Sequence, residues 1–170
     1  MVRSTICLCM IVKNEAKIIR ECLKSVVGSI DYWVICDTGS TDGTQDIIKE
    51  FFKEVNIEGE LHQDEWVNFG YNRTRAFIEA RGKCDYTYVI DADDRLNGKI
   101  VITDKNYTHV NINVEYGSLF FKRVQIFNNR LEWIYQGALH EHPILRSKNT
   151  KLNILDLEGC YVKAGTFGNR

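Results

Sequence analysis

The sequence predicts an α/β domain, with a mixed central sheet flanked by helices and an antiparallel part toward its C-terminus. Three observations predict it. Apolar runs without polar alternation, Thr5 to Val12 and Tyr32 to Cys36, are each followed by apolar residues recurring every three to four positions, the order strand, helix, strand, helix. Five β-favouring residues, Tyr86 to Ile90, then run directly into Asp91-Ala92-Asp93-Asp94, a strand delivering carboxylates to a sheet edge. Beyond Asn97-Gly98 the grammar changes to strict alternation, with Val110, Ile112 and Val114 set against Asn111, Asn113 and Glu115, the pattern of a half-exposed antiparallel strand.

Taken in order, Thr5 to Val12 reads as a strand buried on both faces. Asn14 is placed to cap a helix whose apolar positions are Ile18, Ile19, Cys22, Leu23, Val26 and Val27, ending at Gly28. The strand Tyr32 to Cys36 opens into the polar loop Asp37-Thr38-Gly39-Ser40-Thr41-Asp42-Gly43-Thr44, which feeds a helix with the stripe Ile47, Ile48, Phe51, Phe52 and Val55. A short strand at Glu60 to His62 and a helix over 71–81 complete the crossover to Tyr86. In the second half, Leu119 to Phe127, the turn Asn128-Asn129-Arg130, and Leu131 to Tyr135 predict a hairpin, and Leu152 to Leu157 a last strand. One domain over 1–170 is expected, with 1–98 as a nucleotide-binding half and 99–170 as a second half of different construction.

The 22 Lys plus Arg against 23 Asp plus Glu give a formal net charge of -1, which supplies no pull toward nucleic acid or anionic lipid. The apolar run Ile6 to Val12 is too short to span a bilayer. Six cysteines without a CxxC spacing, mostly within apolar stretches, predict reduced thiols and a cytoplasmic location.

Three polar features fall after successive strands: Asn14-Glu15, Asp37 with its loop, and Asp91-x-Asp93. Together on one sheet edge they suit a nucleoside diphosphate: a carboxylate for base or ribose donors, free helix N–H groups for anions, and an acidic pair for a divalent cation.

The chain resembles the family 2 glycosyltransferases of the GT-A fold, within the nucleotide-diphospho-sugar transferase superfamily and its Rossmann-like sheet. The resemblance is carried by Ile6-Cys7-Leu8-Cys9-Met10-Ile11-Val12-Lys13-Asn14-Glu15, by Trp33-Val34-Ile35-Cys36-Asp37-Thr38-Gly39-Ser40-Thr41-Asp42-Gly43-Thr44, and by Val89-Ile90-Asp91-Ala92-Asp93-Asp94. Trp66-x-x-Phe69 with Asn72-Arg73, and Gly137-x-x-His140-Glu141, add two further segments in order. It implies a nucleotide-sugar donor, usually a UDP-sugar, with Mn²⁺ or Mg²⁺ on the acidic motif, and an inverting transfer to the hydroxyl of a glycan or protein acceptor. Carried over by position, Val12, Asn14, Glu15, Asp37, Arg73 and Asp91 would contact the donor, and Asp91, Asp93 and His140 the metal. Glu141 would be the general base, with His142 beside it as the other candidate histidine. Lys13 stands where many members carry an aromatic residue, and Thr38 where they carry a second Asp. Such enzymes commonly continue past Gly165-Thr166-Phe167-Gly168-Asn169-Arg170, which predicts a fragment of a longer protein.

Three alternatives belong to other classes. A non-catalytic nucleotide-sugar-binding module would keep the donor half alone. An aspartic protease is suggested by Asp37-Thr38-Gly39-Ser40, but that nearly all-β fold conflicts with the helix that follows. A phosphatase with an Asp-x-Asp nucleophile would need its motif after an early strand.

Overall fold

The computed structural model describes residues 3–138, 140–147 and 149–165. Residues 166–170, part of the glycine-rich tail singled out above, lie outside them. The elements are β1 (Ile6–Val12), α1 (Ile19–Val26), β2 (Tyr32–Asp37), α2 (Thr44–Val55), β3 (Gly59–Gln63), α3 (Phe69–Ala80) and β4 (Tyr86–Val89). They are followed by β5 (Arg95–Gly98), β6 (His109–Tyr116), β7 (Leu119–Asn128), β8 (Trp133–Gln136), β9 (His142–Leu145) and β10 (Ile154–Lys163).

Eight strands form one sheet in the order β3-β2-β1-β4-β7-β6-β10-β5. The first four run parallel, with Cys7 opposite Tyr32 and Ile6 opposite Tyr86; β7 joins β4 antiparallel. The C-terminal ends of β1, β2 and β4 therefore share one edge, as their apolar runs predict. β1 explains why no alternation was visible. Ile6, Leu8, Met10 and Val12 face a core formed with α1 and α2, while Cys7 and Cys9 face one formed with α3, Phe127 and Trp133. Both faces exclude water, so each residue contributes apolar burial, at about 25 cal/mol per Å². The six cysteines are free thiols. Among the described residues no helix is long and apolar enough to cross a membrane.

Two expectations are corrected. Asn14 does not cap α1: its backbone is left-handed (φ 55°), α1 begins after Ile18 without a side-chain cap, and the Asn14 Oδ1 instead accepts from Thr41 N at 2.9 Å. The helix does end where expected, with its C-cap at Val27 and Gly28 next in the chain. The hairpin predicted around Asn128-Asn129-Arg130 is absent; β7 pairs with β6 across Gly117, and β8 pairs with β9 in a separate two-stranded sheet. The reason lies in the two asparagines, which are buried and tie this corner to Tyr107 and Lys105 (Asn128) and to Ala80 at the end of α3 (Asn129). β5 and β9, four residues each, had no apolar pattern to betray them.

Candidate functional site

The parallel edge is built by two loops laced to each other. Val12 is buried, and its carbonyl accepts from Thr38 N (2.9 Å) and Thr38 Oγ1 (3.1 Å). Asn14 N donates to Ser40 Oγ (2.8 Å), Glu15 N to Thr44 Oγ1 (2.8 Å) and Ala16 N to Asp42 Oδ2 (3.0 Å). The hydroxyls and carboxylate of the Asp37 loop thus satisfy the amides that the chain exposes after β1, amides that would otherwise be unpaired. Sequence reasoning did not assign this work to Ser40, Asp42 and Thr44.

Asp37 ends β2 and is 1% exposed. Its Oδ1 accepts from Gly39 N, Ser40 N and Gln45 Nε2 at 2.8 to 3.0 Å, while Oδ2 is buried with no hydrogen-bond partner among the described residues. A buried carboxylate oxygen left in that state is costly, so it marks a place where a donor group is wanted. The same geometry disposes of the protease alternative, because Asp37 caps its own loop inside an α/β fold and β2 leads into α2.

The acidic motif is a turn, closed by Asp94 N donating to Asp91 O at 3.0 Å. Arg95 holds it from below. Its guanidinium donates to the carbonyls of Ala92 (2.9 Å) and Asp94 (2.7 Å) and to that of Ile18 (3.0 Å), stitching the turn to the loop that carries Glu15. Burial raises the pKa of Glu15, and the carboxylates of Asp93, Asp42 and Asp91 raise it further. Four carboxylates thus act on one another at this edge, which is unfavourable without a counter-charge.

Arg73 supplies one counter-charge from α3. Its Nη2 donates to Asp91 Oδ1 at 2.8 Å and its Nε to Glu141 Oε1 at 3.0 Å, with the guanidinium 5.7 Å from the ring centroid of Tyr135. Burial lowers the Arg73 pKa, but Asp91, Tyr135 and Glu141 together outweigh it and keep the pKa above the ordinary value. Glu141 can reach this position because Gly70, in the first turn of α3, lies against the backbone of Gly137; a Cβ at Gly70 would stand 2.2 Å from the Gly137 carbonyl oxygen. Asp91 and Glu141, which the sequence separates by 50 residues, are thereby joined through one side chain. His140 is exposed in left-handed backbone (φ 56°), and His142 lies on β9 opposite Gln136. Among the described residues no group of three or more His, Cys, Asp or Glu forms a ready-made metal centre.

Comparison with known proteins fits this geometry. The model of the family described as Glycosyl transferase family 2 matches residues 7–103. The SPbeta prophage-derived glycosyltransferase SunS of Bacillus subtilis (strain 168) is 30% identical over 159 residues, 86% of this chain and 36% of that protein. A TPR repeat-containing protein of Synechococcus elongatus is 38% identical over 89 residues, 52% of this chain and 20% of its own. The chain therefore spans about a third or less of the length of these curated relatives. Among solved structures, S. aureus TarS superposes with a TM-score of 0.64 at 16% identity, over 95% of this chain and 36% of TarS. The mannosyltransferase PcManGT from Pyrobaculum calidifontis, in complex with GDP-Man and Mn²⁺, gives 0.57 at 15% identity, over 75% and 45% of the two chains. These likenesses identify the fold as GT-A.

Proposed function

Since the chain belongs to glycosyl transferase family 2, we propose that it is the catalytic domain of a metal-dependent, inverting glycosyltransferase that uses a UDP-sugar. The observation that carries the proposal is Arg73 spanning Asp91 and Glu141: it sets a carboxylate from the second half of the chain beside the acidic turn, as transfer requires and donor binding alone does not. S. aureus TarS has been solved with UDP and with UDP-GlcNAc, which supports uridine as the base.

In this reading Asp37 Oδ2 accepts from the base or ribose, and the backbone of Val12, Asn14 and Glu15 borders the nucleoside. The fit to a hard cation rests on the donor set. Oxygens dominate it, and the mutual repulsion that raises Glu15 is relieved by positive charge. A Mg²⁺-like cation is commonly held by one or two carboxylates together with substrate phosphates, so the lack of a three-ligand cluster among the described residues is compatible with a site completed by the donor. Asp91 and Asp93 would hold it, with His140 as a further ligand. Left-handed backbone at the non-glycine residues Asn14 and His140 is strain of the kind that concentrates at functional sites. When bound, the cation neutralises charge that builds on the departing diphosphate, worth several kcal/mol.

Glu141 then takes the proton of the acceptor hydroxyl, and Arg73 keeps its carboxylate oriented before the acceptor arrives. The test is release of UDP from UDP-sugars with and without glycan or peptide acceptors, in the parent and in Glu141→Gln. Retained donor binding with transfer reduced by two orders of magnitude or more, on the usual scale of such catalysis, supports the assignment. Undiminished transfer by Glu141→Gln removes Glu141 as the base.

A further inference from the structure

The third carboxylate of the acidic turn, Asp94, has no place in the donor site just described, and its surroundings explain why it is there. It is 3% exposed. Its Oδ2 accepts from Arg123 Nη2 on β7 at 2.7 Å, and its Oδ1 from the amide of Gly165, just past β10, at 3.1 Å. Burial raises the Asp94 pKa against the pull of Arg123. The segment after β10 is itself fixed, because Ala164 N donates to Glu115 O at 2.8 Å and extends the pairing of β10 with β6.

Gly165 also lies directly on Asp93. A Cβ built there would stand 1.8 Å from the Asp93 carbonyl oxygen, 2.6 Å from its carbonyl carbon and 2.9 Å from its Cβ. Carbon–oxygen contacts normally begin at about 3.3 Å. The backbone at Gly165 is not left-handed, so closeness to Asp93 excludes a side chain here, and torsion does not. On its other side the turn is held by Arg95 and by Cys22 Sγ, 3.4 Å from Asp91 O. The turn is therefore gripped between α1 on one side and, on the other, β7 with the segment after β10, and the second grip bears on the residue proposed to bind the cation.

We propose that Gly165 and the Asp94–Arg123 pair are positioning residues that set where the Asp93 carboxylate sits, and so how strongly the nucleotide's cation is held. Through them, strands of the second half of the chain govern metal affinity in the first. The proposal rests on the donor-site reading above. A methyl at position 165 displaces either Asp93 or the segment after β10, and loss of the Asp94 charge loosens the same contact from the other side.

The test is calorimetric titration of UDP, with and without Mn²⁺, and of uridine alone, into the parent, Gly165→Ala, Asp94→Asn and the control Gly28→Ala, whose added Cβ meets nothing within 4 Å. A displacement near 1 Å can cost about a hundredfold in a positioned site. Gly165→Ala should therefore lose about tenfold or more of the Mn²⁺-dependent gain in UDP affinity, and Asp94→Asn a smaller part of it. Uridine binding should be unchanged in both, and Gly28→Ala should match the parent. Should Gly165→Ala not fold, Asp94→Asn decides. Parent-like Mn²⁺ enhancement in the folded variants overturns the proposal, as does an equal loss of uridine binding, which would indicate general disruption. A parent that binds UDP identically with and without Mn²⁺ overturns the donor-site reading itself, and with it this inference.

Discussion

Replacing Arg73 by alanine removes the guanidinium that holds Asp91 and Glu141 together. The Arg73 side chain is 13% exposed and that of Glu141 16%, whereas that of Asp91 is 40% exposed. Removing one partner of a well-buried ion pair costs about 3–5 kcal/mol, while exposed pairs are worth about 0–1 kcal/mol because solvent screens them. The Glu141 contact lies toward the first limit and the Asp91 contact toward the second, so a total near 3 kcal/mol is expected. For a chain of this size each kcal/mol moves Tm by about 2–4 °C, which places the fall at roughly 6–12 °C. The assay is calorimetric unfolding of the parent, Arg73→Ala, Glu141→Gln and the double variant. Because Glu141→Gln removes the charge that Arg73→Ala strands, the two should be coupled by about 1–2 kcal/mol, within the range seen for groups in contact. A Tm within about 2 °C of the parent, or additive single effects, would refute the reasoning that this bridge joins the halves of the site.

Further predictions follow from Asp37, His109 and Gly70. Asp37→Asn can put an amide N–H₂ where the unpartnered buried Oδ2 accepts, and should weaken uridine binding about 10- to 100-fold, from the 1–3 kcal/mol at stake in one buried polar contact; unchanged affinity by calorimetry would take Asp37 out of the donor site. Burial lowers the pKa of His109, whose ring meets Trp133 edge-on with centroids 5.8 Å apart. Its contribution to stability is therefore complete above its ordinary value near 6.5 and lost as pH falls toward the lowered one, since the unfolded chain takes up the proton first. Urea unfolding at pH 5 and pH 8 should show this loss in the parent and a smaller one in His109→Gln. Gly70→Ala, with its Cβ set against the Gly137 carbonyl, should cost about 1–3 kcal/mol as overpacking does; a denaturation midpoint equal to the parent's would contradict that close approach.

The donor edge was legible because its signals are local. Apolar runs mark β1, β2 and β4, and each ends in the residues that face the edge, so Asp37, Asp91 and Asp93 could be located by position alone. What stayed hidden depends on partners distant in sequence. Asn14 looked like a helix cap, but Thr41, a neighbour only in the folded chain, draws its side chain away. Asn128 and Asn129 have turn-forming composition, and their role as buried anchors arises only where β7 meets α3 and the 104–108 segment. Arg73 reads from its motif as a donor contact, and its bond to Glu141 spans 68 residues that no periodicity connects. Arg95 and Asp94 were passed over for the same reason: their value lies in the carbonyls and amides that they reach.

The central claim is a nucleoside diphosphate site completed by a divalent cation, and calorimetric titration of UDP into the parent and Asp93→Ala, each with Mn²⁺ and with a chelator, tests it most directly. The account predicts tight binding by the parent that weakens sharply on chelation, and binding by Asp93→Ala that is weak under both conditions while unfolding remains cooperative. Equal affinity in all four titrations, or no binding by the folded parent, would contradict it.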